Sequence, residues 1–145
     1  MANSDKIFID GFKNDEIDKS AIIPSAIGEY LTAKIISIDD ESYKLSMSFA
    51  ANAQMYNGAG VVQGGILTSM LDTTMAFAVL SHVKSDQSAA TISINTDFLN
   101  GAKAGLFIAV AEITRMGRSI AFTKAILKDS DDKLIASATA NFAII

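Results

Sequence analysis

The sequence predicts an α+β domain in which an antiparallel β-sheet wraps around one long buried helix. Three observations carry that expectation. From Tyr30 onward most of the chain alternates apolar and polar residues with a period of two, the mark of half-buried strands. One stretch breaks that period: Ile66, Leu67, Met70, Leu71, Phe77 and Ala78 leave almost no polar face between Gly64 and Leu80, as in a helix surrounded by protein. Short clusters of Gly, Asn and Asp separate the later strand-like runs at hairpin spacing.

The elements follow in order. Residues 1–28 form an N-terminal segment with a short helix expected between Asn14 and Ile27, in which Phe8, Phe12 and Ile17 either cover the domain edge or shape an entrance to a pocket. A strand over residues 30–38 ends at the acidic turn Asp39-Asp40-Glu41-Ser42. The next strand places Tyr43, Leu45, Met47 and Phe49 on one face, and the two make a hairpin. After the glycine-rich loop and the core helix come four more strands, over residues 89–99, 105–115, 118–128 and 133–145. The last carries Ala136, Ala138 and Ala140, small enough to let the sheet approach the helix closely.

Composition narrows the function. The chain has 145 residues, half of them hydrophobic, which suits one domain over its whole length and is enough to bury roughly 70% of the unfolded surface. Cys is absent, which removes disulfides, thiolate metal sites and cysteine nucleophiles. The lone His82 removes multi-histidine metal sites. A formal charge of -4, with basic residues scattered, argues against nucleic acid, whose phosphates require clustered Lys and Arg. The N-terminus lacks the basic-then-apolar pattern of a secretory signal. The most apolar stretch is interrupted by Gln63 and Asp72, too polar for a membrane span. A cytoplasmic protein with no membrane, metal or cofactor partner is expected.

Several catalytic signatures are missing. No G-x-S-x-G elbow occurs, and one His leaves little room for a Ser-His-Asp arrangement. Gly58 and Gly60 are followed by Gln63 where a dinucleotide loop needs its third glycine, and no phosphate loop follows. The cluster Asp129-Ser130-Asp131-Asp132 starts like a calcium loop but lacks its glycine and its terminal acid; a solvated hairpin turn is the simpler reading.

What remains is Asp72, an acid on the most apolar segment of the chain. A carboxylate there must be paired, neutralised or used, because an ionised and unpartnered one costs several kcal/mol in an apolar interior. Upstream, Gly64 and Gly65 open the helix, where unsatisfied N–H groups and the helix dipole favour negative charge. Such an end can hold the oxyanion of acyl transfer, or the glycines can simply allow close helix-to-sheet packing. Likewise Asp72 can act on substrate or hydrogen-bond hydroxyls such as Thr68 or Ser69. Eight residues separate Gly64 from Asp72, about 12 Å along a helix, so one helix cannot offer both groups to one carbonyl. If both serve one site, two copies with antiparallel helices must share it.

The segment Asn57-x5-Gln63-Gly64-Gly65-x6-Asp72 resembles the signature of the hotdog-fold acyl-CoA thioesterases of the phenylacetate-pathway (PaaI-like) type. Residues 91–102, Gly105 and Thr114-Arg115-Met116-Gly117-Arg118 look like the same family's third strand and following hairpin. The similarity runs from about Gly28 to Ile145. It implies a hotdog fold and hydrolysis of an acyl-CoA, or carrier-bound acyl, thioester by a homodimer or a tetramer of two dimers. By position it implies Asp72 as general base or nucleophile, and the Gly64 N–H as the donor that polarises the carbonyl. Asn57 would hold the nucleophile or water, Thr91 would orient water near the acid, and Gly117 and Arg118 would lie near the coenzyme A phosphates. Gln63 stands where the family has histidine; it can hydrogen-bond but cannot carry a proton at neutral pH. That departure keeps open a non-catalytic acyl-CoA binding module. A hotdog dehydratase or hydratase, which needs a His and acid pair, fits less well because His82 lies ten residues beyond Asp72.

Overall fold

The computed structural model describes residues 3–145. It contains helices α1 (Ser4–Lys13), α2 (Ala26–Tyr30) and α3 (Gly64–Leu80), and strands β1 (Lys34–Asp39), β2 (Lys44–Ala51), β3 (Ala89–Phe98), β4 (Gly105–Met116), β5 (Ile120–Asp129) and β6 (Leu134–Ile144). The six strands form one sheet in the order β1-β2-β4-β5-β6-β3, antiparallel at every junction. The chain leaves β2, crosses the sheet as α3 and returns at the far edge as β3. That crossing lays α3 against β2 through β6.

The alternation that predicts the strands also builds the core. Leu45, Met47 and Phe49 of β2 are buried, as are Phe107, Ala109 and Ala111 of β4. They meet Met70, Leu71 and Met75 of α3, all fully buried, each contributing roughly 1.5–3 kcal/mol by leaving water. Ala136, Ala138 and Ala140 point to the same side and are buried, so the sheet comes close to the helix as the sequence suggests.

The N-terminal region differs from expectation. Residues 14–25 hold no helix; α1 lies earlier and α2 begins only at Ala26. The Asn3 side chain accepts from the N–H groups of Asp5 and Lys6 and so caps α1, while Ile9 and Phe12, three residues apart on one face, enter the core. The first strand also starts four residues later than expected, at Lys34. Tyr30 instead closes α2, which ends in a Schellman motif: Ala33 N–H donates to Gly28 O at 2.8 Å and Thr32 N–H to Glu29 O at 3.1 Å. That motif needs a left-handed residue, and Thr32 supplies it at φ 51°. A β-branched residue is rare there, so the stop signal is invisible in the sequence.

Tyr43 is a smaller correction. It does not share the buried face of Leu45, Met47 and Phe49; it sits in the turn at φ 57°, and its ring stacks on His82 with centroids 4.7 Å apart.

Candidate active site

The loop before α3 is a tight, self-bonded turn. Asn57 N–H donates to Val61 O (2.8 Å), Gly60 N–H returns to Asn57 O (3.0 Å), and Gln63 N–H donates to Met55 O (2.9 Å). Gly60 adopts φ +71°, which a glycine does without steric cost. The Asn57 side-chain oxygen accepts from Ala59 N–H (2.9 Å) and Val61 N–H (3.4 Å). With that oxygen engaged in the turn, its amide nitrogen is the end left to donate to anything outside it.

Gln63 is the N-cap of α3, yet its side chain makes no capping bond, and it is exposed. Gly64 and Gly65 therefore begin the helix with amides that, among the described residues, donate to nothing in the chain. Gly64 also touches an aromatic ring: a Cβ there would meet Phe98 Cζ at 3.0 Å. Asn57, Gly64 and Phe98 share one groove with Val61, Leu67 and Leu99.

Asp72 lies two turns further along α3, half-buried. It pairs with neither Thr68, which donates to Thr96 Oγ1 (3.1 Å), nor Ser69, which donates to Gly65 O (2.8 Å). Instead Thr91 Oγ1 donates to Asp72 Oδ1 at 2.9 Å. Burial pushes the Asp72 carboxyl above the ordinary carboxylate range, and the Thr91 hydrogen bond offsets part of that rise.

The predicted site residues thus fall into two groups. Asn57, Gln63 and Gly64 stand at the start of α3 beside Phe98, while Asp72 and Thr91 stand about 12 Å further along the helix axis. The sheet register carries the same division. Phe98 pairs with Ala136 and so with Leu127 and Ala109, whereas Thr91 pairs with Phe142 and so with Ala121 and Met116. Gly117 and Arg118, in the β4–β5 turn, therefore lie at the Thr91 end of the sheet. Gly117 serves that turn directly: a Cβ there would meet Ile120 O at 2.6 Å. Arg118 is exposed and makes no ion pair among the described residues.

Two other features lie outside this arrangement. His82 follows α3 with Nδ1 3.0 Å from Ala78 O and 2.9 Å from Ser81 Oγ, at the helix end remote from Gly64. The Asp129 carboxylate accepts from the N–H groups of Asp131 and Lys133, which holds the β5–β6 turn. Phe98 is the site residue that sequence reasoning passes over. Its signal is only an aromatic at the end of a strand, and its contact with Gly64 spans 34 positions.

A family model described as the thioesterase superfamily matches residues 59–136. The chain belongs to that superfamily. A solved structure from Ralstonia eutropha JMP134, of a phenylacetic acid degradation-related protein, is 31% identical, with a TM-score of 0.83 over 97% of this chain and 99% of that one. The Escherichia coli PaaI protein from the phenylacetic acid degradation operon shares the fold, with a TM-score of 0.77 at 24% identity over 98% of this chain and 95% of that one. A Halobacterium salinarum protein with the name "Putative esterase VNG_1336C" is 30% identical over 76% of each chain. The architecture is the hotdog fold expected from the glycine loop and its spaced aspartate, and superfamily membership assigns thioester hydrolysis as the class of reaction. No helix among the described residues is long and apolar enough to cross a membrane.

Proposed function

We propose that this chain is a cytoplasmic acyl-CoA thioesterase whose active sites are shared between two copies related by a two-fold axis. One observation carries the reading. The half-buried Asp72 and the unpaired Gly64 amide lie on one helix, too far apart to serve one carbonyl, beside a strand with an open edge. Among the described residues β3 pairs only with β6, and its ten residues expose Ile92 and Phe98. An unpaired edge of that length invites a second strand. Antiparallel pairing of β3 with its two-fold mate reverses the neighbouring α3 as well, which brings Asp72 of one copy toward Gly64 of the other. A tetramer would add a second such dimer.

In this reading the thioester oxygen accepts from the Gly64 amide, and Asn57 donates its side-chain amide to the water or the reacting group. Asp72, oriented by Thr91, takes a proton from water as water attacks the carbonyl carbon, or attacks that carbon itself to form an acyl-aspartate anhydride that water then hydrolyses, regenerating the carboxylate and supplying the proton for the sulfur. The tetrahedral intermediate collapses with cleavage of the C–S bond, and the proton ends on the departing sulfur. The products are a carboxylic acid and free coenzyme A. A carboxyl raised by burial suits a base at neutral pH. Arg118, exposed at the Thr91 end, is available to the phosphates of coenzyme A. Among the described residues the Gln63 side chain neither caps the helix nor bonds elsewhere, so the residue that departs from the family pattern is free to hydrogen-bond substrate.

A thiol-release assay over short, long and aromatic acyl-CoAs, run beside Asp72→Asn, tests this. Release by the wild type and its loss in the folded variant is the expected result. Tight binding of acyl-CoA with no thiol released by the wild type would favour a binding module instead.

A further inference from the structure

Phe98 ends the open-edged β3, and its ring stands on the first residue of α3, with Cζ and Cε1 at 3.0 and 3.2 Å from where a Gly64 Cβ would sit. Its position is set by backbone, because Leu99 N–H and Asn100 N–H both donate to Ile135 O at 2.9 and 3.1 Å. Yet 54% of Phe98 remains exposed, beside a groove of about 350 Å³. The polar lining of that groove is Asn57, Asn100 and the backbone of Gly64 and Gly101, set among apolar side chains. No charged residue lines it. The Lys103 ammonium, which touches the same loop, is held on Gly60 O at 2.5 Å.

We propose that Phe98 is a specificity-determining residue, the apolar wall against which the first carbons of the acyl group pack, so that the site takes thioesters of apolar acyl groups and rejects those carrying a second carboxylate. The inference rests on the hydrolytic reading for one point, the seating of the thioester oxygen on the Gly64 amide. The ring touches Gly64, so a carbonyl held there has its neighbouring carbons within van der Waals reach of the aromatic face. A second carboxylate in the same place would lose water and meet no cation, which is costly.

The test compares hexanoyl-CoA with succinyl-CoA, similar in size but differing in charge, against the full-length wild type, Phe98→Ala and Phe98→Leu. The kcat/KM for each substrate is measured, along with equilibrium binding of both ligands to the same three forms in an Asp72→Asn background. The wild type is expected to favour hexanoyl-CoA by on the order of 100-fold. Phe98→Ala should lower kcat/KM for hexanoyl-CoA by on the order of tenfold, through KM, and leave succinyl-CoA within about twofold. Phe98→Leu should recover most of the loss, which separates a missing wall from a damaged fold. Thiol release with an unchanged preference in Phe98→Ala, or equal use of both substrates by the wild type, overturns the role of Phe98 and leaves hydrolysis standing. No thiol release, with binding that still discriminates through Phe98, overturns hydrolysis and leaves the wall standing. Binding of neither ligand overturns both.

Discussion

Thr91 Oγ1 donates to Asp72 Oδ1 across 2.9 Å, and this bond joins the buried helix to the open edge of the sheet. It also stabilises the ionised carboxylate against the burial that opposes it. One hydroxyl therefore orients the acid and offsets part of the effect of burial on its protonation.

Removing that hydroxyl should move the titration of the acid. In Thr91→Val the lowering influence is lost, so the Asp72 carboxyl rises further, and the acidic limb of the pH–rate profile shifts to higher pH. Activity at neutral pH should fall by on the order of tenfold, and Thr91→Ser should restore both the limb and the rate. A Val variant with the wild-type limb would mean that the bond does not tune the acid.

Asp72 itself should trade stability for turnover. Its folded pKa lies above the ordinary carboxylate value of 3.8, so folding favours the protonated form. The associated stability is complete below 3.8 and declines as pH rises toward the raised value; above that value the charge is carried at full cost. Asp72→Asn removes this cost. At pH 7 the variant should be more stable than the wild type, and it should lose that advantage in denaturant melts near pH 3.5, below the ordinary Asp pKa of about 3.9. Thiol release should fall by about 1,000-fold.

The Gly64 amide can be deleted by a single substitution. Proline is well accepted at the first helical position, and Gln63 already has φ -61° and ψ 137°, a conformation compatible with a following proline. Among the described residues the Gly64 N–H has no partner, so Gly64→Pro breaks no hydrogen bond there, although its Cβ makes the Phe98 ring shift slightly. The variant should keep its far-UV circular dichroism and lose about 100-fold to 1,000-fold in kcat. Mixed and reannealed with Asp72→Asn, it should recover about a quarter of wild-type activity, because half of random dimers are hybrids with one intact site. Two inactive variants that stay inactive after subunit exchange would rule out a shared site.

Gln63→Asp should stabilise the protein and impair it. A carboxylate at the N-cap accepts from the free amides of the first turn, worth about 1 kcal/mol in a chemical melt. The same carboxylate occupies the donors and repels a developing oxyanion, so kcat should drop at least about tenfold. A variant gaining stability with unchanged kcat would place the oxyanion elsewhere.

The parts of the fold that were legible are those where local pattern and tertiary environment agree. The apolar periodicity of α3 and the alternation of β4 to β6 hold because each element meets the core on the face its pattern predicts. The misread segments are those decided by backbone detail. Thr32 ends α2 in a left-handed conformation usually taken by glycine or asparagine, and its β-branched side chain reads as strand. Helix α1 depends on the Asn3 cap and on only a few apolar contacts, a faint signal in a polar stretch. In the site, the glycine loop and Asp72 stood out because their residue types are unusual in their surroundings. Phe98 did not, because an aromatic in a strand is ordinary until the sheet order sets it against a residue 34 positions away.

His82 has its own consequence. Its ring lies against Tyr43, with Nδ1 beside Ala78 O and Nε2 buried without a hydrogen bond among the described residues, while Asp40 stands 3.6 Å away. The imidazole braces the far end of the long helix and takes no part in the reaction proposed for its other end. Since the chain has no cysteine either, reagents aimed at thiols find no target in it. A histidine-selective reagent such as diethyl pyrocarbonate would gauge how often that bracket comes apart.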